Sequence, residues 1–352
     1  MKKVGIKIGR AATCTEMEKL ALVTLLVACQ QPKSNVASDG DVDSTDADTR
    51  DFCNATDPRT VPVAVAPTPE AGEQPYLDVL QAAQHSIEVE IYLMGYGGIL
   101  DTLKAKAQSG VTVRVIFDLS KQATNQKYYD MLAAAGAQVK WSDPRFTYQH
   151  AKLIVVDDSV ALVSTGNFSR DYSILNERNF VATDRDAADL ADLVALFEAD
   201  WVGAPLTSMA CTRMVISPIN SRARILDLIA SATSTLTIES MELADYAARD
   251  AIKARVQAGV QVRALIADTG FVSSNMYAAD FLKSINVPVK WIPHLHTKAL
   301  VADGARAYLG SVNLSSTSLD KNREVGVIVT DASSIDPMTT TFEKDWTAGT
   351  AF

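Results

Sequence analysis

Two stretches of this sequence repeat each other in order, and that duplication limits the fold more than any other feature. The first reads His150-Ala-Lys152-Leu-Ile-Val-Val-Asp157, then Ser164-Thr165-Gly-Asn167. The second reads His296-Thr-Lys298-Ala-Leu-Val-Ala-Asp303, then Gly310-Ser311-Val-Asn313. The His-to-Asn spacing is the same in both, and the chain has only 4 histidines. One such motif is weak evidence, but two with matched trailing loops are hard to obtain by accident.

Other segments duplicate at offsets of 145 to 149 residues. Ser109-Gly-Val-Thr-Val-Arg-Val-Ile-Phe-Asp118 matches Ala258-Gly-Val-Gln-Val-Arg-Ala-Leu-Ile-Ala-Asp268, and Phe197-Glu-Ala-Asp-Trp201 matches Phe342-Glu-Lys-Asp-Trp346. Within each unit, strand-like runs alternate with helical ones, which predicts an α/β sandwich with a mostly parallel sheet, to which the motif hairpin adds antiparallel pairing. The Val-rich strands and the Phe/Trp stretches read as core.

Each motif reads as a β-hairpin turning at Asp157-Asp158-Ser159 or Asp303-Gly304. With two-residue loops, the register sets His150 opposite Asn167 and Lys152 opposite Thr165. In the second copy it sets His296 opposite Asn313 and Lys298 opposite Ser311. His and Lys, two apart, project from one face of their strand. Each hairpin thus gathers an imidazole, an ammonium and an amide. Such groups suit a phosphodiester, whose oxygens need cationic and amide donors as charge shifts in the transition state. Histidine can attack phosphorus when neutral or protonate a leaving oxygen when charged.

These motifs resemble the HKD signature of the phospholipase D superfamily, and the resemblance runs from about Tyr76 to Trp346. It implies two phospholipase D-like α/β/α sandwich halves, packed as a pseudo-two-fold unit with one shared active site. It implies His150 as nucleophile, forming a phosphohistidine, and His296 as acid, without metal or other cofactor. Lys152, Lys298, Asn167, Asn313, Thr165 and Ser311 would bind the substrate phosphate. The motif aspartates Asp157 and Asp303 belong to the expected catalytic set, with a hairpin-organising role the stronger reading. The family also places a carboxylate downstream to hold the His ring. Glu324 fits in the second half; Glu177, the nearest match in the first, is one residue out of register. The first copy departs from the family's usual Gly-Ser at Ser164-Thr165.

The N-terminus supplies an address. Residues 1–29 read as a signal peptide ending in Leu26-Val27-Ala28-Cys29, which resembles a bacterial lipobox with Cys29 lipidated. Met17 is an alternative start. Residues 30–60 read as a disordered acidic linker, 61–205 as the first repeat and 206–352 as the second. An exported location permits a disulfide between Cys53 and Cys211. The expected localisation is a membrane-anchored lipoprotein on the periplasmic or cell-surface side, or else a secreted protein.

Removing residues 1–28 leaves 28 basic against 40 acidic residues, a net charge of −12. Nucleic-acid binders usually present a basic face. The sequence reading is therefore a monomeric phospholipase D-type hydrolase that acts on a phospholipid headgroup diester. Alternatives are an HKD endonuclease and a phosphatidyltransferase of the cardiolipin synthase type. A non-catalytic binding protein is disfavoured by the intact His and Lys pairs. His85 and His294 read as surface or rim residues, and Gly95-Tyr-Gly-Gly98 as a turn. Phe271, Met276 and Tyr277 read as core contacts, with acyl-chain contact the other reading.

Overall fold

Runs rich in Val and Ile alternate with amphipathic helices along both halves, and each half builds one mixed sheet. A computed structural model of the protein describes residues 57–206, 209 and 213–352. The leader, most of the acidic linker, Cys29, Cys53 and Cys211 lie outside the described residues. The last residues of the expected linker are held in place. The Arg59 guanidinium lies 2.6 Å from Asp189, and the Thr60 amide donates to Asp186 at 3.0 Å.

The first half runs β1 (Ala64–Thr68), α1 (Gln74–Ala82), β2 (Ser86–Ile91), α2 (Gly98–Gln108), β3 (Thr112–Phe117), α3 (Gln122–Ala134), β4 (Gln138–Trp141), β5 (Lys152–Val156), β6 (Val160–Ser164), β7 (Asn179–Asp184) and α4 (Ala187–Val202). The second half runs β8 (Met214–Ser217), α5 (Ser221–Ser231), β9 (Thr235–Ser240), α6 (Tyr246–Gln257), β10 (Gln261–Ile266), α7 (Asn275–Ser284), β11 (Val289–Trp291), β12 (Lys298–Ala302), β13 (Arg306–Gly310), α8 (Ser316–Asp320), β14 (Glu324–Val329), α9 (Ala332–Ala348) and β15 (Thr350–Ala351).

The strand orders are β1-β7-β6-β5-β2-β3-β4 and β15-β11-β10-β9-β12-β13-β14-β8. Only β2-β3-β4 and β9-β10-β11 are parallel; the remaining pairs are antiparallel. The antiparallel hairpins are as expected, while the parallel part is smaller than expected, three strands in each sheet. The hairpin and the returning strand fill one side of each sheet, and a strand unforeseen from the sequence, β1 or β8, closes that edge.

The inner faces of the two sheets share a core. Leu153, Val155, Val163 and Phe180 of the first half lie in one buried cluster with Ala299, Leu309, Val325 and Val327 of the second. Helices α4 and α9 contribute Leu193, Leu196, Ile335 and Met338 to it. Separate cores lie under the outer helices of each half. The stretch Leu153–Val156 is buried throughout, as its unbroken apolar run predicts.

The hairpin register differs from the sequence expectation by one residue. Val156 pairs with Val160 and Ala302 with Arg306, so each loop holds three residues. The cause is the motif aspartate, which turns out of the ladder in left-handed conformation (φ 50° at Asp157, 55° at Asp303). The Asp157 carboxylate accepts the amides of Gln84, His85 and Ser86 at 2.7 to 2.8 Å. Asp303 accepts those of Thr233, Ser234 and Thr235 at 2.7 to 2.8 Å. Each aspartate thereby caps the junction leading into β2 or β9. At about 3.3 Å per residue, each stands roughly 15 Å along the strand from its Lys. Asp157 and Asp303 therefore organise the fold at the opposite end of the sheet from the histidines and are not part of the catalytic set.

Candidate active site

His150 and His296 sit just ahead of β5 and β12, beyond the hairpin ladders, where the halves meet. The His150 amide donates to the Arg323 carbonyl at 2.8 Å, and the His296 amide to the Arg178 carbonyl at 3.1 Å. Each motif is thus anchored on the other half's returning strand. Both imidazoles and both lysines are buried. Lys298 reaches the Thr165 carbonyl of the first motif at 3.2 Å, and each imidazole meets a side chain of the other half, His150 with Glu324 and His296 with Asn179. The two motifs therefore form one site.

The ring partners also cross between halves. His150 Nδ1 lies 2.7 Å from Glu324 Oε2, which fixes the tautomer and turns Nε2 away from the carboxylate. His296 Nδ1 lies 3.0 Å from Asn179 Oδ1 and 3.7 Å from Glu177 Oε2. Aligning the strands explains the misfit of Glu177 in the sequence. The first half reads Glu177-Arg178-Asn179 and the second Asn322-Arg323-Glu324. Carboxylate and amide have exchanged places about a shared arginine. In each half the two remain neighbours, with Asn322 donating to Glu324 at 2.9 Å and Asn179 at 3.5 Å from Glu177.

Burial is the main force on these groups. It holds His150 down to about 4 and Lys152 down to about 7, with Glu324 opposing both shifts. Burial also holds His296 and Lys298 well below their ordinary values. Burial pushes the Glu324 carboxyl up, but His150, Lys152 and Asn322 together outweigh it and hold the group below its ordinary value. A bound anion would favour the charged forms of all four cationic groups.

Lys152 Nζ donates to the His150 carbonyl at 2.6 Å, and Tyr92 packs edge-on against His150 with ring centroids 4.6 Å apart. Lys298 Nζ donates to the His296 carbonyl at 2.6 Å and the Thr165 carbonyl at 3.2 Å. The side-chain carbonyl oxygens of Asn167 and Asn313 are buried without a partner. Buried amides of this kind are stabilised when a ligand pairs them.

Thr165 and Ser311, expected among the phosphate contacts, are committed elsewhere. The Thr165 hydroxyl donates to Asn179 Oδ1 and accepts the Phe180 amide, both at 2.9 Å. The Ser311 hydroxyl accepts the Val325 amide at 3.0 Å and donates to the Val325 carbonyl at 3.2 Å. They tie the motif loops to β7 and β14. Gly95 is demanded by close approach, since a Cβ there would run into the Ser169 side chain. His85 and His294 are exposed.

Sequence reasoning missed the support behind the site. Arg323 pairs with Asp200 across the halves at 2.8 and 3.0 Å. Its counterpart Arg178 pairs with Asp345 at 2.6 and 3.1 Å. Behind them, Glu90 accepts Gln149 Nε2 at 2.7 Å, and burial pushes Glu239 up to about 8. The signal was present: the arginines and the aspartates of the two Phe-Glu-x-Asp-Trp stretches recur at a common offset of 145 residues.

The sequence matches the family described as "Cardiolipin synthase, PLD-like domain" over residues 76–201 and again over 225–346. The chain is 24% identical over 323 residues to "Probable cardiolipin synthase YwiE" of Bacillus subtilis (strain 168), covering 78% of this chain and 64% of that protein. It is 23% identical over 312 residues to a cardiolipin synthase of Oceanobacillus iheyensis, covering 76% and 65%. The chain thus spans just under two thirds of the length of these relatives. Its fold matches a phosphatidylserine synthase of Haemophilus influenzae Rd KW20, with TM-score 0.66, 14% identity, and coverage of 82% of this chain and 87% of that one. It also matches a polyphosphate kinase of Porphyromonas gingivalis, with TM-score 0.65, 17% identity, and coverage of 80% and 46%. With both motifs inside the matched segments and both halves folded alike, the chain belongs to the phospholipase D-like family of the cardiolipin synthase type, whose domain it carries twice.

Proposed function

We propose that this protein transfers a phosphatidyl group between alcohols through a phosphohistidine. The observation that carries the chemistry is the buried convergence of two histidines and two lysines, each histidine held by a residue of the other half. The relatives support transfer over the hydrolysis read from the sequence. In the first step His150 Nε2 attacks phosphorus, the bond to the leaving alcohol oxygen breaks, and that oxygen takes a proton from His296. In the second, an acceptor alcohol gives its proton to His296 and attacks phosphorus, breaking the bond to His150. The diester's negative charge favours protonation of His296 on binding. Lys152 and Lys298 offset charge on the phosphoryl oxygens.

The net charge of −12 for residues 29–352 supports a lipid diester over nucleic acid. Export and anchoring through Cys29 belong to the same proposal and rest on the lipobox-like sequence alone. Incubating the purified protein with phosphatidylglycerol in mixed micelles, with EDTA present, tests the reading by product. Diphosphatidylglycerol and free glycerol are expected. Phosphatidic acid as the main product would return the reading to hydrolysis. DNA cleavage lost in His150→Ala, with no lipid turnover, would replace it with a nuclease.

A further inference from the structure

The large hydrophobic side chains exposed among the described residues are unevenly placed. All except Val61 lie at the end of the molecule where β2, β3, β9 and β10 terminate and where both motif histidines stand. Tyr96 is 55% exposed in the loop after β2, and Tyr246, 80% exposed, holds nearly the same place in the second half, at the start of α6. Tyr172, 62% exposed, lies in the loop that carries Asn167. Phe271, Met276 and Tyr277 follow β10; the sequence reading made them core, yet they stand 37%, 52% and 66% exposed.

Exposed apolar groups gathered on one face mark an interaction surface. Their identity selects the partner. Tyrosine is the commonest of them, and its ring carries a polar tip on an apolar body, the chemistry that places it at headgroup level in a lipid–water interface. Cations stand against the same rings: Lys127 Nζ lies 5.0 Å from the Tyr96 centroid and the Arg249 guanidinium 5.8 Å from that of Tyr246. These can meet lipid phosphates while the rings insert beside them. Among the described residues no helix is long and apolar enough to cross a membrane, so contact of this body with a bilayer is a matter of surface.

We propose that this end of the molecule docks on a phospholipid bilayer through its tyrosine rim, so that a diester enters the site directly from the headgroup layer. The inference rests on the lipid reading of the site. The test uses full-length chain carrying Cys29→Ser, so that no acyl chain contributes. Binding to phosphatidylglycerol/phosphatidylethanolamine vesicles is measured by sedimentation, and turnover by release of headgroup from a short-chain phosphatidylglycerol below its critical micelle concentration. In a Tyr172→Ser, Tyr246→Ser, Tyr277→Ser variant, vesicle affinity should fall at least tenfold with short-chain turnover kept within twofold. Val61→Ser, at the other end, should change neither. Unchanged vesicle affinity in the triple variant, or no vesicle binding by the parent, would overturn the docking surface. Rim-dependent vesicle binding without turnover of the short-chain lipid would instead uphold the surface and count against the function proposed above.

Discussion

Nδ1 of His150 lies 2.7 Å from Oε2 of Glu324, a carboxylate 174 residues later and on the opposite half. The contact sets the tautomer of the His150 ring and, in the proposed mechanism, faces the positive charge that grows on it as phosphorus is attacked. Glu324→Gln keeps the shape but removes that charge. A fall in kcat of about a hundredfold is expected, the lower end of what a positioned acid–base group contributes. Single-turnover rates, with trapping of the phosphohistidine after acid quench, measure the step directly. A variant that forms the intermediate at the parent rate would show that Glu324 is only structural.

The exchange of Glu177 and Asn179 gives His296 an amide where His150 has a carboxylate. Asn179→Asp is nearly isosteric and places a carboxylate on His296 Nδ1, now 3.0 Å from the amide oxygen. The midpoint of His296 protonation should rise, because the new carboxylate favours the charged ring. Proton–nitrogen NMR of the imidazole reads this without any substrate. Since burial holds the native ring neutral well below its ordinary value, the variant should carry charge at a pH where the parent does not. An unmoved midpoint would refute the assigned contact.

The buried pair Arg323–Asp200 joins the halves behind the site. Arg323→Met leaves Asp200 its contact with Arg145 at 3.2 Å. Loss of one member of a buried pair costs about 3–5 kcal/mol. Denaturant unfolding should show that loss, and Arg323→Met with Asp200→Leu should recover part of it. A single-variant effect below about 1 kcal/mol, the scale of an exposed pair, would falsify the clamp.

Asp303 acts at the other end of the sheet. Burial works to raise its carboxyl, but backbone amides of Thr233, Ser234 and Thr235 hold it at about 2. Its folded value lies below the unfolded value near 4, so its contribution is present above that value and fades as pH falls toward about 2. Asp303→Asn should cost on the order of 1–2 kcal/mol at neutral pH, after discounting for solvent screening. The deficit should shrink in acid, with kcat unchanged. A kcat loss comparable to that of His296→Ala would return Asp303 to the catalytic set.

Much of this was legible in the residues. Repetition exposed the two halves, the motif histidines and lysines marked the site, and Glu324 stood where the family places a carboxylate. The misses share a cause. Hairpin register depended on where the Asp157 and Asp303 carboxylates bind, a contact about 70 residues away in sequence. Thr165 and Ser311 carry hydroxyls fit for phosphate, and only the neighbouring strand shows them already paired. Phe271, Met276 and Tyr277 have apolar character but no periodicity to separate rim from core. The Arg–Asp pairs were printed twice in the sequence, yet partner choice across halves belongs to tertiary packing.

The crossed clamps bear on how the chain is made. Residues are synthesised from the N-terminus, so the first half leaves the ribosome with Arg178 and Asp200 complete but their mates, Asp345 and Arg323, still untranslated. The inner face of its sheet is meanwhile bare, because Ala299, Leu309, Val325 and Val327 have not yet emerged. Until α9 is finished, the nascent first half holds a wet apolar sheet and charges awaiting burial. The final docking, which closes the core and both clamps together, is also the event that first brings Glu324 to His150. Assembly of the protein and assembly of its chemistry are therefore a single step, reached only once the second half has been made.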